Sequence, residues 1–443
     1  KEENYLIHTN FQIKSKIIKS SNLLNHIMNL AIKGGKKLRS HPFPKHPIIG
    51  DEEKKQVLDV LDSGNISTFI ASPGENFLGG KKIKEFEEKF SKKIGTKFGV
   101  AFNSASSALH AAVVSVGVNP GEEVIVPPTT FTSTATSSLM HNAIPVFCDV
   151  KSDTYCIDPE KIEKLISPLS KAIIPVHLFG HSCDMDEILE ISKKHNLKII
   201  EDCAQSIDGK YKNKTLGTMG DCSIFSFQES KAIMTGEGGI LLTDDEDIAN
   251  IARMVRNHGE VVLPTMKQRS YKTEFLGWGY RMTELEAAIG IAQIDKLDSL
   301  NAQRIELGTY LSEEINKIDG LKHVKYDHVK HVYWMFGFTF DEKVIGISRN
   351  IFCDALKAEG IPIFAGYVEP LHLNPIYTEK RAYAFKHYTG NVEYGKGVCP
   401  VAEKLHETDL INTIICRPPA TLDDMKDIVL AIHKIIENKN ELI

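Results

Sequence analysis

Asp202 and Lys231 each follow an apolar run, at positions where an ionisable side chain could take part in chemistry. Asp202 follows the run Lys198–Glu201, and Lys231 lies in a polar turn after the run Ser223–Phe227. If these runs are parallel strands, both residues lie at the carboxyl edge of a sheet, where such sheets bind ligands. A lysine with a lowered pKa is a nucleophile toward carbonyl groups. Taken singly, Asp202 could equally be a helix cap and Lys231 a solvated loop lysine.

Asp202 and Lys231 together predict a cofactor. An acid that keeps a pyridine nitrogen protonated and a lysine that forms a Schiff base are the minimal set that pyridoxal phosphate requires. The protonated ring then withdraws electrons from the reacting carbon. We therefore expect Asp202 and Lys231 to be the catalytic residues and pyridoxal 5'-phosphate to be the cofactor.

This cofactor also needs a phosphate site and a group that clamps its ring. Ala105 and Ser106 open a predicted helix after the first apolar run, where free N–H groups and the helix dipole favour a phosphate. Phe131 follows the run Val124–Pro127, where it could stack on the ring. An ordinary serine cap and a core phenylalanine are the alternative interpretations.

Short apolar runs that alternate with helical patterns must hold these residues. Such alternation predicts an α/β fold with a parallel sheet covered on both faces. The predicted strands are Phe98–Phe102, Val124–Pro127, Pro145–Val150, Ala172–Val176, Lys198–Glu201, Ser223–Phe227 and Ile240–Thr243. The predicted helices between them are Ala105–Val116, Thr132–His141, Pro159–Ile166 and Met185–His195.

A chain of 443 residues is too long for one ordinary core, so we expect more than one unit. The predicted units are an N-terminal arm (1–45), a large cofactor-binding domain (46–300) and a smaller α+β C-terminal domain (301–443). The arm carries a short amphipathic stretch near Leu23–Leu30. The remaining predicted elements are helices at Thr283–Leu297, Ser299–Ile318, Arg349–Glu359 and Leu422–Asn438, and strands at Val332–Phe340 and Ile361–Phe364.

Composition excludes several classes of function. The net charge is −5, which argues against nucleic acid or an anionic membrane as the main partner. No run approaches the roughly 20 apolar residues of a membrane span. The eight cysteines form no C-x-x-C pair and several lie in apolar runs, which is typical of buried free thiols in a reducing compartment. We expect a cytoplasmic protein without a bound metal.

Motifs that extend over roughly residues 30–440 resemble one family of proteins. They are Asn103–His110, Gly121–Pro127, Pro145–Asp149, Pro175–Gly180, Glu201–Gln205, Ser226–Gly239, Arg256–Gly259 and Gly277–Ala288. In this order and spacing they resemble the DegT–DnrJ–StrS family of sugar aminotransferases. The resemblance implies fold type I of the pyridoxal-phosphate enzymes, with a mostly parallel seven-stranded sheet in the large domain.

The resemblance also implies a role for each matching residue. Lys231 would form the Schiff base and shuttle a proton, and Asp202 would hold the pyridinium nitrogen. Gln205 would lie near the phenolic oxygen and Phe131 would stack on the ring. The residues that would take the phosphate are Ala105, Ser106 and Ser226. The enzyme would move an amino group from glutamate or glutamine to a keto-sugar, nucleotide keto-sugar or keto-cyclitol, as a homodimer with shared active sites.

The chain departs from the family pattern at several positions. Ala105 and Ser106 stand where Gly-Thr is usual, Gly279 stands where an asparagine often reaches the partner's phosphate, and Trp334 replaces a histidine. Gln228 also replaces a histidine, as in the cyclitol aminotransferases and the amino-hydroxybenzoate synthases. The acceptor could therefore be a ring without a nucleotide. The residues expected to contact substrate are His177, Gln228, Tyr367 and His372.

Three other functions remain open from sequence. Dehydratases of the same family carry a histidine in place of the lysine, so Lys231 favours transamination. A non-catalytic sugar-binding or regulatory homologue would not need the pair of Asp202 and Lys231. A desulfurase or aldolase of the same fold type is the third, and a desulfurase would need a cysteine in an exposed loop.

Overall fold

The computed structural model describes residues 29–69, 74, 76–261 and 272–443. The stretch predicted near Leu23–Leu30 lies outside these residues except for its last two positions. The helices are α1 (Asp51–Ser63), α2 (Lys81–Ile94), α3 (Ala105–Ser115), α4 (Ser133–Met140), α5 (Pro159–Ile162), α6 (Met185–His195), α7 (Glu246–Arg256), α8 (Glu284–Ile315), α9 (Glu342–Ile345), α10 (Arg349–Ala358), α11 (Pro375–Thr378), α12 (Pro400–Lys404) and α13 (Leu422–Glu437).

The strands form three sheets. They are β1 (Phe98–Phe102), β2 (Glu123–Val126), β3 (Ile144–Phe147), β4 (Ser170–Ile173), β5 (Lys198–Asp202), β6 (Lys210–Tyr211), β7 (Lys214–Thr215), β8 (Cys222–Ser226), β9 (Gly239–Thr243), β10 (Leu321–Lys322), β11 (Val329–Lys330), β12 (Phe336–Phe340), β13 (Phe364–Ala365) and β14 (Leu410–Thr413). The seven-stranded sheet has the order β1-β9-β8-β5-β4-β2-β3.

The predicted mostly parallel sheet of seven strands is confirmed. The pairs from β3 through β2, β4 and β5 to β8 are parallel, whereas β9 is antiparallel to both of its neighbours. No helix forms in the connection from β8 to β9, residues 227–238, so the chain turns back directly beside β8. That connection contains Lys231, and its short return keeps the lysine at the edge of the sheet.

Two hydrophobic cores organise the described residues. The first surrounds the seven-stranded sheet, and its rings include Phe90 and Phe227, whose centroids lie 5.0 Å apart edge to face. The second lies between the antiparallel sheet β10-β12-β14-β13 and the helices α10 and α13, which agrees with a smaller α+β unit. Leu371, Tyr377 and Leu405 belong to the first core although they follow the second sheet's early strands in sequence. The domain boundary at residue 300 stays a prediction.

Some elements differ from their predicted bounds for local reasons. The two helices predicted around residue 298 are one helix, α8, which Thr283 and Glu286 begin with a capping box. The strand predicted over Val332–Phe340 starts only at Phe336, because Tyr333 has a φ of 46°, a left-handed conformation that a strand cannot contain. The helix predicted over Pro159–Ile166 becomes a 3₁₀ turn after Ile162.

Within the described ranges, no helix combines the length and the apolar character that crossing a membrane would demand.

Candidate active site

Lys231 lies in the turn between β8 and β9, under an aromatic ring. Its backbone N–H donates to Gln228 O at 2.9 Å, and its Nζ lies 4.0 Å from the ring centroid of Trp334. The indole Nε1 of Trp334 donates to Ser230 O at 2.9 Å, so the ring is fixed to the same turn. Burial lowers the pKa of Lys231 from 10.5 to about 8, against the opposing effect of the Asp202 charge. A substantial neutral fraction near physiological pH makes this amine a nucleophile.

Asp202 ends β5 and its side chain is 4% exposed. Thr134 Oγ1 donates to Oδ2 at 2.8 Å, and Ala204 N donates to Oδ1 at 3.1 Å. Burial raises the pKa of this carboxyl, although both hydrogen bonds oppose the rise. A buried carboxylate that accepts only from neutral groups gains from a cationic N–H partner. The protonated nitrogen of a pyridine ring is such a partner.

His177 lies behind β5 and does not face the site. It is fully buried, its Nε2 lies 3.1 Å from Glu201 Oε2, and its Nδ1 accepts from Cys183 N at 3.1 Å. Since both ring nitrogens are used inside the protein, His177 is a structural residue here instead of the substrate contact expected from sequence. Cys203 lies close enough to His177 and Glu201 for the three to hold a metal ion. The hydrogen bonds that already occupy His177 and Glu201 argue against that use.

Gln205 links the large core to the segment that contains Tyr367. Its Oε1 accepts from Phe179 N at 2.8 Å, and its Nε2 donates to the Tyr367 hydroxyl at 3.2 Å. The ring of Tyr367 packs edge to face on Phe179, with centroids 5.0 Å apart. Burial raises the pKa of Tyr367 to about 12, so the hydroxyl keeps its proton and can donate it to a further acceptor. The structure therefore brings Gln205 and Tyr367 together.

The start of α3 has the features of a phosphate site. Ser104 caps the helix by accepting from Ser107 N at 3.1 Å, and the amides of Ala105 and Ser106 precede that bond. Ser106 Oγ lies 2.5 Å from Ser133 Oγ at the start of α4. A Cβ at Gly239 would lie 2.5 Å from Ala105 N, so only glycine lets β9 approach this helix end.

The other predicted residues are placed around these groups. Ser226 ends β8 and is 5% exposed, and Gln228 Oε1 accepts from Ser230 N at 2.9 Å within the lysine turn. Phe131 is 60% exposed in the loop that precedes α4. His372 is fully buried with its Nε2 2.9 Å from Glu403 Oε1, and its Nδ1 has no hydrogen-bond partner among the described residues. The expectation that it contacts substrate stays a prediction.

Three members of the site were not identified from the sequence. Thr134 orients Asp202, and Thr130 supports it with an Oγ1–Oγ1 distance of 3.0 Å. The spacing of four residues at a helix start is a signal that could have found this pair, since it places both hydroxyls on one face. Trp334 was noticed only as a departure from the family pattern. Its contact with Lys231 depends on tertiary packing and has no local signal.

The arrangement fits pyridoxal phosphate. Asp202 offers a buried acceptor for the ring nitrogen, Lys231 offers a partly neutral amine, and the start of α3 offers amides for a phosphate. All three lie at the carboxyl edge of the seven-stranded sheet or beside it. Fold and site together define a fold-type-I pyridoxal-phosphate enzyme.

Comparisons with known proteins agree with this class. The profile of the DegT/DnrJ/EryC1/StrS aminotransferase family matches residues 47–429. GDP-perosamine synthase of Caulobacter vibrioides is 37% identical over 75% of this chain and 85% of its own length. The L-glutamine:scyllo-inosose aminotransferase of Streptomyces griseus is 29% identical over 94% of this chain and 99% of its own length. An aminotransferase structure from Psychrobacter cryohalolentis, 28% identical, superposes with a TM-score of 0.78 over 90% of this chain and 99% of its own.

The chain belongs to the DegT/DnrJ/EryC1/StrS aminotransferase family. It is an aminotransferase that depends on pyridoxal phosphate.

Proposed function

We propose that this enzyme transfers the amino group of glutamate or glutamine to a ring ketone, which is a keto-sugar, a nucleotide keto-sugar or a keto-cyclitol, in the biosynthesis of an amino sugar or a related compound. The observation that carries the proposal is the partly neutral Lys231 beside the buried Asp202. The relatives' names support the substrate class, since one is a GDP-perosamine synthase and another a scyllo-inosose aminotransferase.

Asp202 and Lys231 divide the chemistry between them. Pyridoxal phosphate, when bound, supplies a ring that withdraws electrons from the reacting carbon. Asp202, oriented by Thr134, keeps the nitrogen of that ring protonated. Lys231 would accept on its Nζ the proton that leaves the amino donor's α-carbon and would release it later in the same half-reaction, which a lysine of lowered pKa does efficiently near neutral pH.

The remaining predicted residues hold the cofactor in this proposal. Ala105, Ser106 and Ser226 bind the phosphate. The amides at the start of α3 support this role, and Ser226 pairs with Gly239, which packs against Ala105. Phe131 stacks on the ring from its exposed position. Gln205 lies at the phenolic oxygen, with its amide orientation fixed by Phe179.

Gln228 and Tyr367 are the proposed contacts to the acceptor. Tyr367 retains its proton and has a free donor after accepting from Gln205. Gln228 is held within the lysine turn by Ser230. Two neutral polar groups suit the hydroxyl groups of a sugar or cyclitol ring better than they suit a carboxylate.

The test is a transamination panel with the full-length enzyme. Keto-cyclitols, keto-sugars and nucleotide keto-sugars are each offered with glutamate or glutamine that carries ¹⁵N in the α-amino group, and products are analysed by mass spectrometry. We expect one acceptor class to gain a ¹⁵N amine. The variant K231A should lose turnover by at least about 10²-fold, because the general base is gone.

The variant K231R is the matched control, since it keeps a cation but cannot serve as a base at neutral pH. It should be as inactive as K231A. If no donor yields a labelled amine on any acceptor, or if K231R retains turnover, the proposed function fails.

We also propose a cytoplasmic homodimer with shared active sites. All eight cysteines are buried free thiols, which supports a reducing compartment. Leu58 and Leu61, one turn apart on α1, are 56% and 50% exposed, which supports an apolar interface with a second copy. Light scattering during size exclusion should give twice the mass of the chain. A monomer that still turns over would contradict the shared site.

A further inference from the structure

Trp334 contacts the reacting amine from a part of the chain that contributes no other proposed catalytic group. Its ring centroid lies 4.0 Å from Lys231 Nζ, and its side chain is largely buried. The hydrogen bond from its Nε1 to Ser230 O fixes the ring beside the residue that precedes the lysine. Tyr333, which precedes Trp334, has a φ of 46°, so the backbone is not extended at that point.

The two neighbours of Lys231 differ in kind. Asp202 interacts with the amine by charge, and it is also committed to the ring nitrogen. Trp334 offers an electron-rich face, which attracts a cation by its quadrupole and needs no counter-charge. During turnover the lysine must leave the cofactor and later return, so its free amine needs a defined position within reach. When the amine lies on the indole face, it does not compete with the cofactor's ring nitrogen for the Asp202 carboxylate.

We propose that the indole face of Trp334 is the docking site of the Lys231 amine whenever that amine is not bonded to the cofactor. This inference rests on the proposed role of Lys231 as the base. It assigns to Trp334 the task of holding the base between the two proton transfers. Trp334 is thus part of the catalytic machinery and not only a wall of the pocket.

The experiment uses the full-length enzyme loaded with pyridoxamine 5'-phosphate, which carries its own amino group and leaves Lys231 unbonded. Competitive labelling with trace acetic anhydride, read by peptide mass spectrometry, gives the pKa of Lys231. We expect a value below the ordinary 10.5 of a lysine in the wild type, because the amine is buried. The variant W334L should lower the pKa of Lys231 by about 0.5–1 unit, because leucine has no aromatic face to attract the ammonium group.

The variant W334F separates the two contacts of the indole, since it keeps an aromatic face and loses the hydrogen bond to Ser230 O. Its pKa for Lys231 should lie between those of the wild type and W334L. An unchanged or raised pKa in W334L overturns the proposal. If W334L does not fold, W334F decides the question. A pKa of Lys231 in W334F that equals or exceeds the wild-type pKa overturns the proposal.

Emission of the indole gives a second readout that is independent of turnover. The chain has two tryptophans, so the variant W278F leaves Trp334 as the single emitter. We expect its emission to change with the protonation of Lys231 at the pKa that the labelling gives, and the additional change K231M to abolish that transition. An emission without a transition in W278F contradicts the docking site. Both readouts are made without acceptor, so they stand or fail separately from the transamination panel.

Discussion

Glu201 and Asp202 are neighbours on β5, yet their carboxylates accept different numbers of hydrogen bonds on the two sides of the strand. Glu201 accepts from Gly217 N, Met219 N and Gly220 N at 2.7–2.8 Å and from His177 Nε2 at 3.1 Å. Burial alone would raise its pKa, but these hydrogen bonds outweigh burial and lower the pKa. Asp202 is almost as buried, but there the effect of burial is larger than that of the hydrogen bonds, so its pKa is raised.

The comparison shows how the number of donors separates a structural acid from a functional one. Successive side chains of a strand point to opposite faces, so one residue can anchor a loop while the next faces a ligand. Glu201 is saturated, which stabilises its charge and fixes the loop that contains Gly217 and Gly220. Asp202 receives two neutral donors from the described residues and keeps capacity for a cationic one. A buried carboxylate that can still accept hydrogen bonds therefore indicates which side of the strand faces the site.

The largest effect is expected from removing the carboxylate of Asp202. The variants D202A and D202N should lower kcat by about 10²–10³-fold, because no anion then keeps the ring nitrogen protonated. Stopped-flow measurement of the half-reaction with glutamate, under saturating cofactor, checks the expectation. The free energy of unfolding of D202N should change little, because the Thr134 hydroxyl can turn to accept from the new amide while Ala204 N still donates to its oxygen. A D202N enzyme with nearly normal kcat would remove Asp202 from the catalytic residues.

The opposite outcome is expected on the other side of the strand. The variant E201Q should lower the free energy of unfolding by about 3 kcal/mol, because each carboxylate oxygen accepts from two donors and an amide turns one of these oxygens into an NH₂ group that faces two donors. Urea denaturation followed by circular dichroism measures this loss. The kcat of the folded fraction should stay within about threefold of the wild type.

A catalytic loss in E201Q as large as that in D202N would mean that the two acids do not differ in role. The variant E201D, which keeps the charge on a shorter side chain, is the matched control. It should be destabilised less than E201Q if charge, and not length alone, holds the loop.

A smaller effect is expected at Thr134, which supplies one of the two donors to Asp202. The isosteric variant T134V removes the hydroxyl and should lower kcat by about tenfold, since a hydrogen bond to a charged group contributes about 1.5–3 kcal/mol. The variant T134S retains the hydroxyl and should remain within about twofold. Equal kcat values for the two variants would show that the hydroxyl does not orient Asp202.

The local sequence pattern predicts those residues of the candidate site that come directly after the end of a strand. Asp202, Lys231 and the start of α3 were found because apolar runs locate the sheet, and the sheet's edge locates the ligand. His177 was misplaced for the same reason. A position after a strand indicates which edge of the sheet a residue is near. It does not indicate which way the side chain points, or whether the side chain already forms a hydrogen bond with a buried acid.

Other features depend on contacts between distant parts of the chain. Trp334 reaches Lys231 across about a hundred residues of sequence, and Tyr333 breaks a run that otherwise has the composition of a strand. The antiparallel direction of β9 follows from a connection too short for a crossover helix, which apolar composition alone does not reveal.

The smallest expected effect extends the comparison from carboxylates to buried histidines. His110 and His323 each keep a buried Nε2 without a partner among the described residues, unlike His177, whose two nitrogens are both used. Burial lowers the pKa of His110 and of His323 from 6.5 to about 4. The unfolded chain therefore takes up protons near pH 6.5 while the folded chain stays neutral, so stability falls as the pH drops from about 6.5 toward 4.

Between pH 7 and pH 6, each of these histidines should cost about 0.7 kcal/mol of unfolding free energy. The variant H323Q keeps a donor for Gly337 O, which His323 Nδ1 contacts at 2.7 Å, and has no proton to gain. Its loss of stability over this interval, measured by urea denaturation at both pH values, should be smaller than that of the wild type by that amount. The variant H433Q changes an exposed histidine of α13 and should lose as much as the wild type. If H323Q and H433Q behave alike, an unpartnered ring nitrogen does not make a buried histidine a point of acid weakness, and donor count would separate carboxylates only.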